Sequence, residues 1–273
     1  MVEMLIQVID GSLIGYQHFI FPDGQRHITL ATEIEYSDIL VTTSLCSADD
    51  IFDLLLVKEI LDNGHNKTSL RINYLLGARM DRRIDNCQPF TLKVVADIIN
   101  SAHFEQIEIL DPHSNEVLRC LHDGLFRPPK VVYPLPELRR ILRHYNPGDT
   151  VIVIPDAGAT ERVSHMLVDS AFELVQCRKN RDSKTGRLYG SAIDNPNAVT
   201  EKRCLIIDDI CDAGGTFVGL AKLLREAGAV SVDLFVTHGI FSKGRGLEGI
   251  DNVYSTHSFT GKIHPKQETA QRA

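Results

Sequence analysis

In the stretch "RCLIIDDICDAGGTFVGLAKLL", from Arg203 to Leu224, an apolar run ends on two adjacent carboxylates, Asp208 and Asp209. Asp212 follows, and then Ala213, Gly214, Gly215 and Thr216 open a helical pattern. Backbone N–H groups at a helix start, backed by the positive end of the helix dipole, attract an anion. Glycines permit the close approach and the positive φ that such a turn demands, and Thr216 adds a hydroxyl donor. Together these features describe a cradle for a monophosphate. Asp208 and Asp209 are poor partners for phosphate but good acceptors for sugar hydroxyls. The stretch therefore outlines a site for a ribose 5-phosphate. No lysine follows the glycines, so this is not a Walker A loop, and the dinucleotide pattern GxGxxG is absent. Asp212 also reads as a plain helix N-cap, but capping leaves Asp208 and Asp209 unexplained.

A second cluster lies in "QCRKNRDSKTGRLYGSAID". Arg178, Lys179, Arg181, Lys184 and Arg187 are opposed only by Asp182, in a chain whose net charge is −7. A nucleic-acid patch would be broader and interleaved with stacking aromatics, whereas Tyr189 alone is near. An oligophosphate suits the cluster better.

Strands and helices must hold these groups in place. "SLRINYLL", "QIEILD", "TVIVIPD", "RCLIIDD" and "SVDLFVTH" read as strands buried on both faces. Amphipathic stretches at Pro89–Ala102 and Thr216–Ala229 lie between them, and "HFIFPDGQRHITLAT" reads as a hairpin about Asp23-Gly24. This alternation predicts α/β architecture with parallel sheets flanked by helices. Prolines cluster in "FRPPKVVYPLPELRR", which suggests a boundary between domains 1–133 and 134–273. Segments ending in His113 and His238 resemble each other and hint at an internal duplication. In such sheets ligands bind beyond the carboxyl ends of the strands, and polar or ionisable residues follow every one of these strands.

Composition narrows the field. At 43% hydrophobic and 24% charged residues, the 273-residue chain is ordinary for a globular protein. Its negative balance argues against nucleic acid or an acidic membrane as partner. Six scattered cysteines without a CxxC pair predict reduced thiols and a cytoplasmic home. The first residues lack the basic region and cleavage site of a signal peptide, and no apolar run is long enough to span a bilayer.

"CLIIDDICDAGGT" resembles the phosphoribosyl pyrophosphate signature shared by type I phosphoribosyltransferases and ribose-phosphate pyrophosphokinases. "YLLGARMDRRIDNCQPFTLKVVADIINSA", "ILDPHSNEV", "VIPDAGATERV" and "VTHGIFSKG" resemble further segments of the pyrophosphokinases, collinear from about Phe21 to Lys243. The resemblance implies two related domains of the type I phosphoribosyltransferase fold. It implies transfer of pyrophosphate from Mg-ATP to ribose 5-phosphate, giving phosphoribosyl pyrophosphate and AMP for nucleotide biosynthesis.

By the same resemblance, Lys179 and Arg181 act on the transferring group, and His113 and Asp156 hold Mg²⁺. Phe21, Asp23, Gln25, Arg79, Asp81 and His113 bind ATP. Asp208, Asp209, Asp212, Ala213, Gly214, Gly215 and Thr216 bind ribose 5-phosphate. A homo-oligomer is implied, with the adenine site at a subunit interface. Met80 stands where the family usually has Gln, and Gln25 replaces a carboxylate. Two other readings stay open at this level: a phosphoribosyltransferase that consumes phosphoribosyl pyrophosphate, and a non-catalytic regulatory homologue.

Overall fold

The computed structural model describes residues 4–122, 127–181 and 188–263, without the side chains at 179–181 and 188–191. The chain divides into two compact units: Met1–Tyr133 with Ser258–Gly261, and Pro134–His257 with Lys262–Ala273.

The first unit opens with β1 (Leu5–Val8), β2 (Leu13–Ile14), β3 (Tyr16–Ile20) and β4 (Arg26–Leu30). Strands and helices then alternate: β5 (Asp38–Leu45), α1 (Ala48–Asn63), β6 (Lys67–Leu75), α2 (Thr91–Asn100), β7 (Ile107–Leu110), α3 (Asn115–His122) and β8 (Lys130–Val132). The main sheet runs β2-β1-β5-β6-β7-β8, and β3 pairs with β4 apart from it. β5 to β8 are parallel, as helical crossovers require. β1 is antiparallel to β5.

α1 starts at a capping box: Ser47 Oγ accepts from the Asp50 N–H, and the Asp50 carboxylate accepts from the Ser47 N–H at 2.7 Å. Leu54, Val57 and Leu61 from this helix bury against Val41, Leu70 and Ile72. Each such side chain contributes roughly 1.5–3 kcal/mol when fully buried. β6 departs from the sequence expectation of burial on both faces. Thr68, Leu70, Ile72 and Leu75 are buried, while Ser69, Arg71 and Asn73 sit on a half-covered face. The polar residues between the apolar ones already carried that alternation.

The second unit comprises α4 (Leu135–Leu142), β9 (Thr150–Ile154), a 3₁₀ turn at Ala157–Ala159, α5 (Thr160–Met166), β10 (Glu173–Arg181) and β11 (Leu188–Ile193). A 3₁₀ turn at Pro196–Val199, β12 (Arg203–Cys211), α6 (Gly215–Glu226), β13 (Ser231–Gly239) and β14 (Asn252–Ser255) complete it. The sheet order is β11-β10-β9-β12-β13-β14. Every pairing is parallel except β10 with β11. β9, the first half of β12 and most of β13 are buried on both faces, as their apolar runs predict, although β13 also buries Asp233, Thr237 and His238.

At the amino end of this sheet, buried Asp233 accepts from Tyr145 Oη and from Asn252 Nδ2, each at 2.8 Å. The Arg203 guanidinium lies 4.5 Å over the Tyr145 ring. Burial, first of all, raises the Tyr145 phenol above its usual range. Among the described residues no helix is long and apolar enough to cross a membrane.

Candidate active site

β12 pairs with β9 from Arg203 to Ile206 and then runs on beside β13, with Asp208 opposite Val236 and Ile210 opposite His238. Asp208 and Asp209 thus lie past the last residue that pairs with β9. The crossover from β9 through α5 leads to β10 on one side, while β12 flanks β9 on the other. The direction of winding reverses there. Such a reversal opens a crevice at the carboxyl ends of the strands, where open α/β sheets take ligands.

Three groups converge on that crevice. Asp156 follows β9, and its Oδ1 accepts the Gly158 N–H at 2.9 Å, capping the 3₁₀ turn. Arg162 rises from α5 and donates from Nη2 to Asp208 Oδ1 at 2.5 Å. The same nitrogen lies 3.5 Å from Asp209 Oδ1. The Asp209 N–H donates to Asp208 Oδ1 at 2.9 Å. Burial, and then the charge of Asp209, raise the Asp208 carboxyl above the usual carboxylate range, with Arg162 opposing. Sequence reasoning gave Arg162 no role. Its signal was the arginine near the end of the segment "VIPDAGATERV", six residues after Asp156, and two neighbouring carboxylates in need of a counter-charge.

The glycine turn follows directly. The N-cap of α6 is Gly214, at φ +78°, and not Asp212. The plain capping role for Asp212 therefore gives way. Gly214 has no side chain to accept from the first-turn N–H groups, and N–H groups at a helix start are the kind that hold an anion. The positive φ favours glycine there, and a Cβ would lie 2.3 Å from Leu247 Cδ2, so that side-chain end would have to shift. A Cβ at Gly215 would meet nothing within 4 Å. Ala213, Gly215 and Thr216 are exposed, and Asp212 is half-buried.

Lys179 and Arg181 sit on the β10 backbone, opposite Ser191 and Leu188 of β11. Their side chains, and residues 182–187 with Asp182, Lys184 and Arg187, lie outside the described residues. Arg178 donates from Nε toward Asp194 at 2.7 Å, a counter-charge beyond the cluster that the sequence reading had not matched to it.

The remaining residues belong to the first unit. Arg79 and Asp81 follow the carboxyl end of β6, and His113 follows that of β7, its neighbour in the sheet. Arg79 and His113 are exposed, and Asp81 is half-buried. Phe21, Asp23 and Gln25 form the exposed tip of the β3–β4 hairpin. The Phe21 N–H donates to the Gln25 carbonyl at 2.8 Å, and Asp23 Oδ1 accepts the Gln25 N–H at 3.0 Å. Asp23 thereby shapes the turn. Phe21 packs edge-on against Phe19 at 4.7 Å. Arg26 moors the hairpin to α1 through a fork onto Asp53, at 2.7 and 2.5 Å.

No group of three or more His, Cys, Asp or Glu placed to hold a metal occurs among the described residues. Magnesium carried on substrate phosphates needs only one or two carboxylates from the protein. Asp156 supplies a hard oxygen donor of that kind.

The profile of the phosphoribosyl transferase domain matches residues 138–264. Relatives that span both halves are ribose-phosphate pyrophosphokinases. The one from Thermococcus kodakarensis is 30% identical, covering 89% of this chain and 84% of its own. The Mycoplasma pneumoniae protein is 30% identical, with 82% and 68% covered. That of Sulfurisphaera tokodaii is 28% identical, with 92% and 83% covered. In fold, the chain is similar to the crystal structure of phosphoribosylpyrophosphate synthetase from Mycobacterium smegmatis. The TM-score is 0.75 at 21% identity, over 92% of this chain and 83% of that one.

Proposed function

This chain belongs to the ribose-phosphate pyrophosphokinase family, and from that premise we propose that it transfers the β,γ-pyrophosphoryl group of ATP to ribose 5-phosphate. The anomeric oxygen attacks the β-phosphorus, phosphoribosyl pyrophosphate forms, and AMP leaves. One observation carries the reading. An ionisable pair, Asp208 and Asp209, and a glycine turn whose N-cap has no side chain follow one another on a strand, turn and helix at the winding reversal of the second unit.

The 5-phosphate rests on the N–H groups of the turn from Ala213 to Thr216, and Asp208 and Asp209 accept from the sugar hydroxyls. Asp212 completes the loop. Arg79, Asp81 and His113 hold the nucleotide, and Phe21 stacks on its base beside Asp23 and Gln25. Lys179 and Arg181 meet the transferring group. Asp156 and His113 would hold Mg²⁺, which supplies positive charge to the polyphosphate when bound. Positioning and charge suffice for this chemistry, so no side chain needs to be a strong base. The exposed apolar tip of the hairpin, with Phe19, Ile20 and Phe21, supports a homo-oligomer in which the tip meets a neighbouring copy.

Incubating the purified chain with Mg-ATP and ribose 5-phosphate, followed by mass spectrometry, tests the proposal. Phosphoribosyl pyrophosphate and AMP in equal amounts are expected. ADP in place of AMP, or no product with ATP, dATP or GTP, overturns it.

A further inference from the structure

We infer that Arg162 is a positioning residue for the sugar: it clamps Asp208 and Asp209 in one orientation toward the ribose hydroxyls and opposes proton uptake by the pair. This inference rests on the ribose 5-phosphate reading of the site.

The geometry is that of a clamp. One guanidinium nitrogen reaches both carboxylates, at 2.5 Å and 3.5 Å. All three side chains are withdrawn from water, with exposures of 9% for Arg162, 14% for Asp208 and 5% for Asp209. Asp208 Oδ1 is fixed from a second direction by the Asp209 N–H. The rotation of Asp208 is then not left to solvent. α5 is short, but Val163 and Met166 bury beside Arg162 and hold its base.

Charge explains why an arginine stands there. Two adjacent carboxylates in a dry place repel, which favours proton uptake by one of them, and the guanidinium opposes that uptake. A protonated carboxyl becomes a donor and loses an acceptor oxygen. A guanidinium stays charged at any working pH, so its compensation is constant. Among the described residues, the neighbouring elements present these groups near Asp208. β13 opposes it with Val236 and carries buried His238 two residues further on. Asp156 beyond β9 adds a negative charge, and α6 begins with Gly215 and Thr216, which carry none.

Arg162→Met and Arg162→Lys test the clamp. In Arg162→Met, KM for ribose 5-phosphate is expected to rise about 10- to 100-fold with kcat much less affected, the scale of a lost charge-assisted contact. The acid limb of kcat/KM for ribose 5-phosphate should move up by about one pH unit, because the pair now holds a proton more tightly. Discrimination against 2-deoxyribose 5-phosphate should fall. Arg162→Lys keeps the charge but not the placement of the guanidinium nitrogen between the two carboxylates, so KM should rise while the acid limb stays in place. If Arg162→Met does not fold, the lysine variant decides alone: an unchanged KM, or a limb that moves by a full unit, overturns the clamp. A ¹³C NMR titration of the aspartate carboxyls separates this inference from the proposed reaction. Titration of the pair at higher pH in Arg162→Met supports the clamp even if the wild-type chain makes no phosphoribosyl pyrophosphate. Titration and KM both unmoved in that variant refute it.

Discussion

The two units share a plan and part ways at one edge. In each, four parallel strands step outward one at a time, β5-β6-β7-β8 in the first and β9-β12-β13-β14 in the second. Beside the leading strand the first unit places antiparallel β1, whereas the second places parallel β10, reached through α5. The winding of parallel strands therefore reverses only in the second unit, and a crevice between strand ends follows from that reversal. What fills the two edges differs accordingly. In the first unit residues 258–261 lie over the ends of β5 and β6. Ser44 Oγ donates to the Ser258 carbonyl at 2.5 Å, and Phe259 meets Tyr74 edge-on at 5.0 Å. In the second unit the equivalent edge bears Asp156, Asp208, Asp209 and the glycine turn. A repeated scaffold does not repeat its chemistry; the path of one neighbouring strand decides whether room for a ligand exists.

Variants can break this contrast, beginning with the largest effect. Lys179→Ala, on the parallel strand that the first unit lacks, should lower kcat by about 10³- to 10⁵-fold, as for other cations on transferring phosphoryl groups. Single-turnover kinetics would show little change in ribose 5-phosphate affinity, and an unchanged rate would remove β10 from the chemistry. Asp208→Asn combined with Asp209→Asn should weaken ribose 5-phosphate binding about 100-fold or more, since charge-assisted hydrogen bonds are lost. Calorimetry that showed only ATP binding altered would reverse the assignment of the two substrates.

Tyr145→Phe strikes the opposite end of the second sheet. It leaves one Asp233 oxygen without its phenol donor, at a cost of about 1–3 kcal/mol. Thermal unfolding should register that loss while KM stays unchanged. A shifted KM would blur the distinction between the amino and carboxyl ends.

The smallest effect concerns pH. Asp208 binds its proton more tightly folded than unfolded. Its contribution to stability is therefore whole below the unfolded value of about 4 and is lost as pH rises through the raised folded value. Melting temperatures of the wild type and Asp208→Asn from about pH 6 to about pH 9 should diverge in favour of the variant. A constant gap contradicts the strained pair.

Much of this was legible in the sequence, for reasons that particular residues make plain. Continuous apolar runs marked β9, β12 and β13, and the Asp23-Gly24 turn marked the β3–β4 hairpin. α1 went unread because its apolar residues surround the helix: Phe52 is exposed while Leu54 is fully buried. The one local sign of its start was the Ser47–Asp50 capping box. Gly214 and Gly215 could be read as a turn, but the close approach of Leu247 to Gly214 could not, because Leu247 is distant in sequence. Arg162 was hidden in the same way, since its meaning comes from two carboxylates on another strand. Spacing along a chain reports local geometry, whereas contacts across a strand reversal become visible only in the fold.

The most direct measurement is a crystal structure with ribose 5-phosphate bound. The account predicts the phosphate within hydrogen-bond reach of the backbone N–H groups from Ala213 to Thr216, with the ring hydroxyls on Asp208 and Asp209. A sugar phosphate seated anywhere else, with that turn left to water, would contradict it.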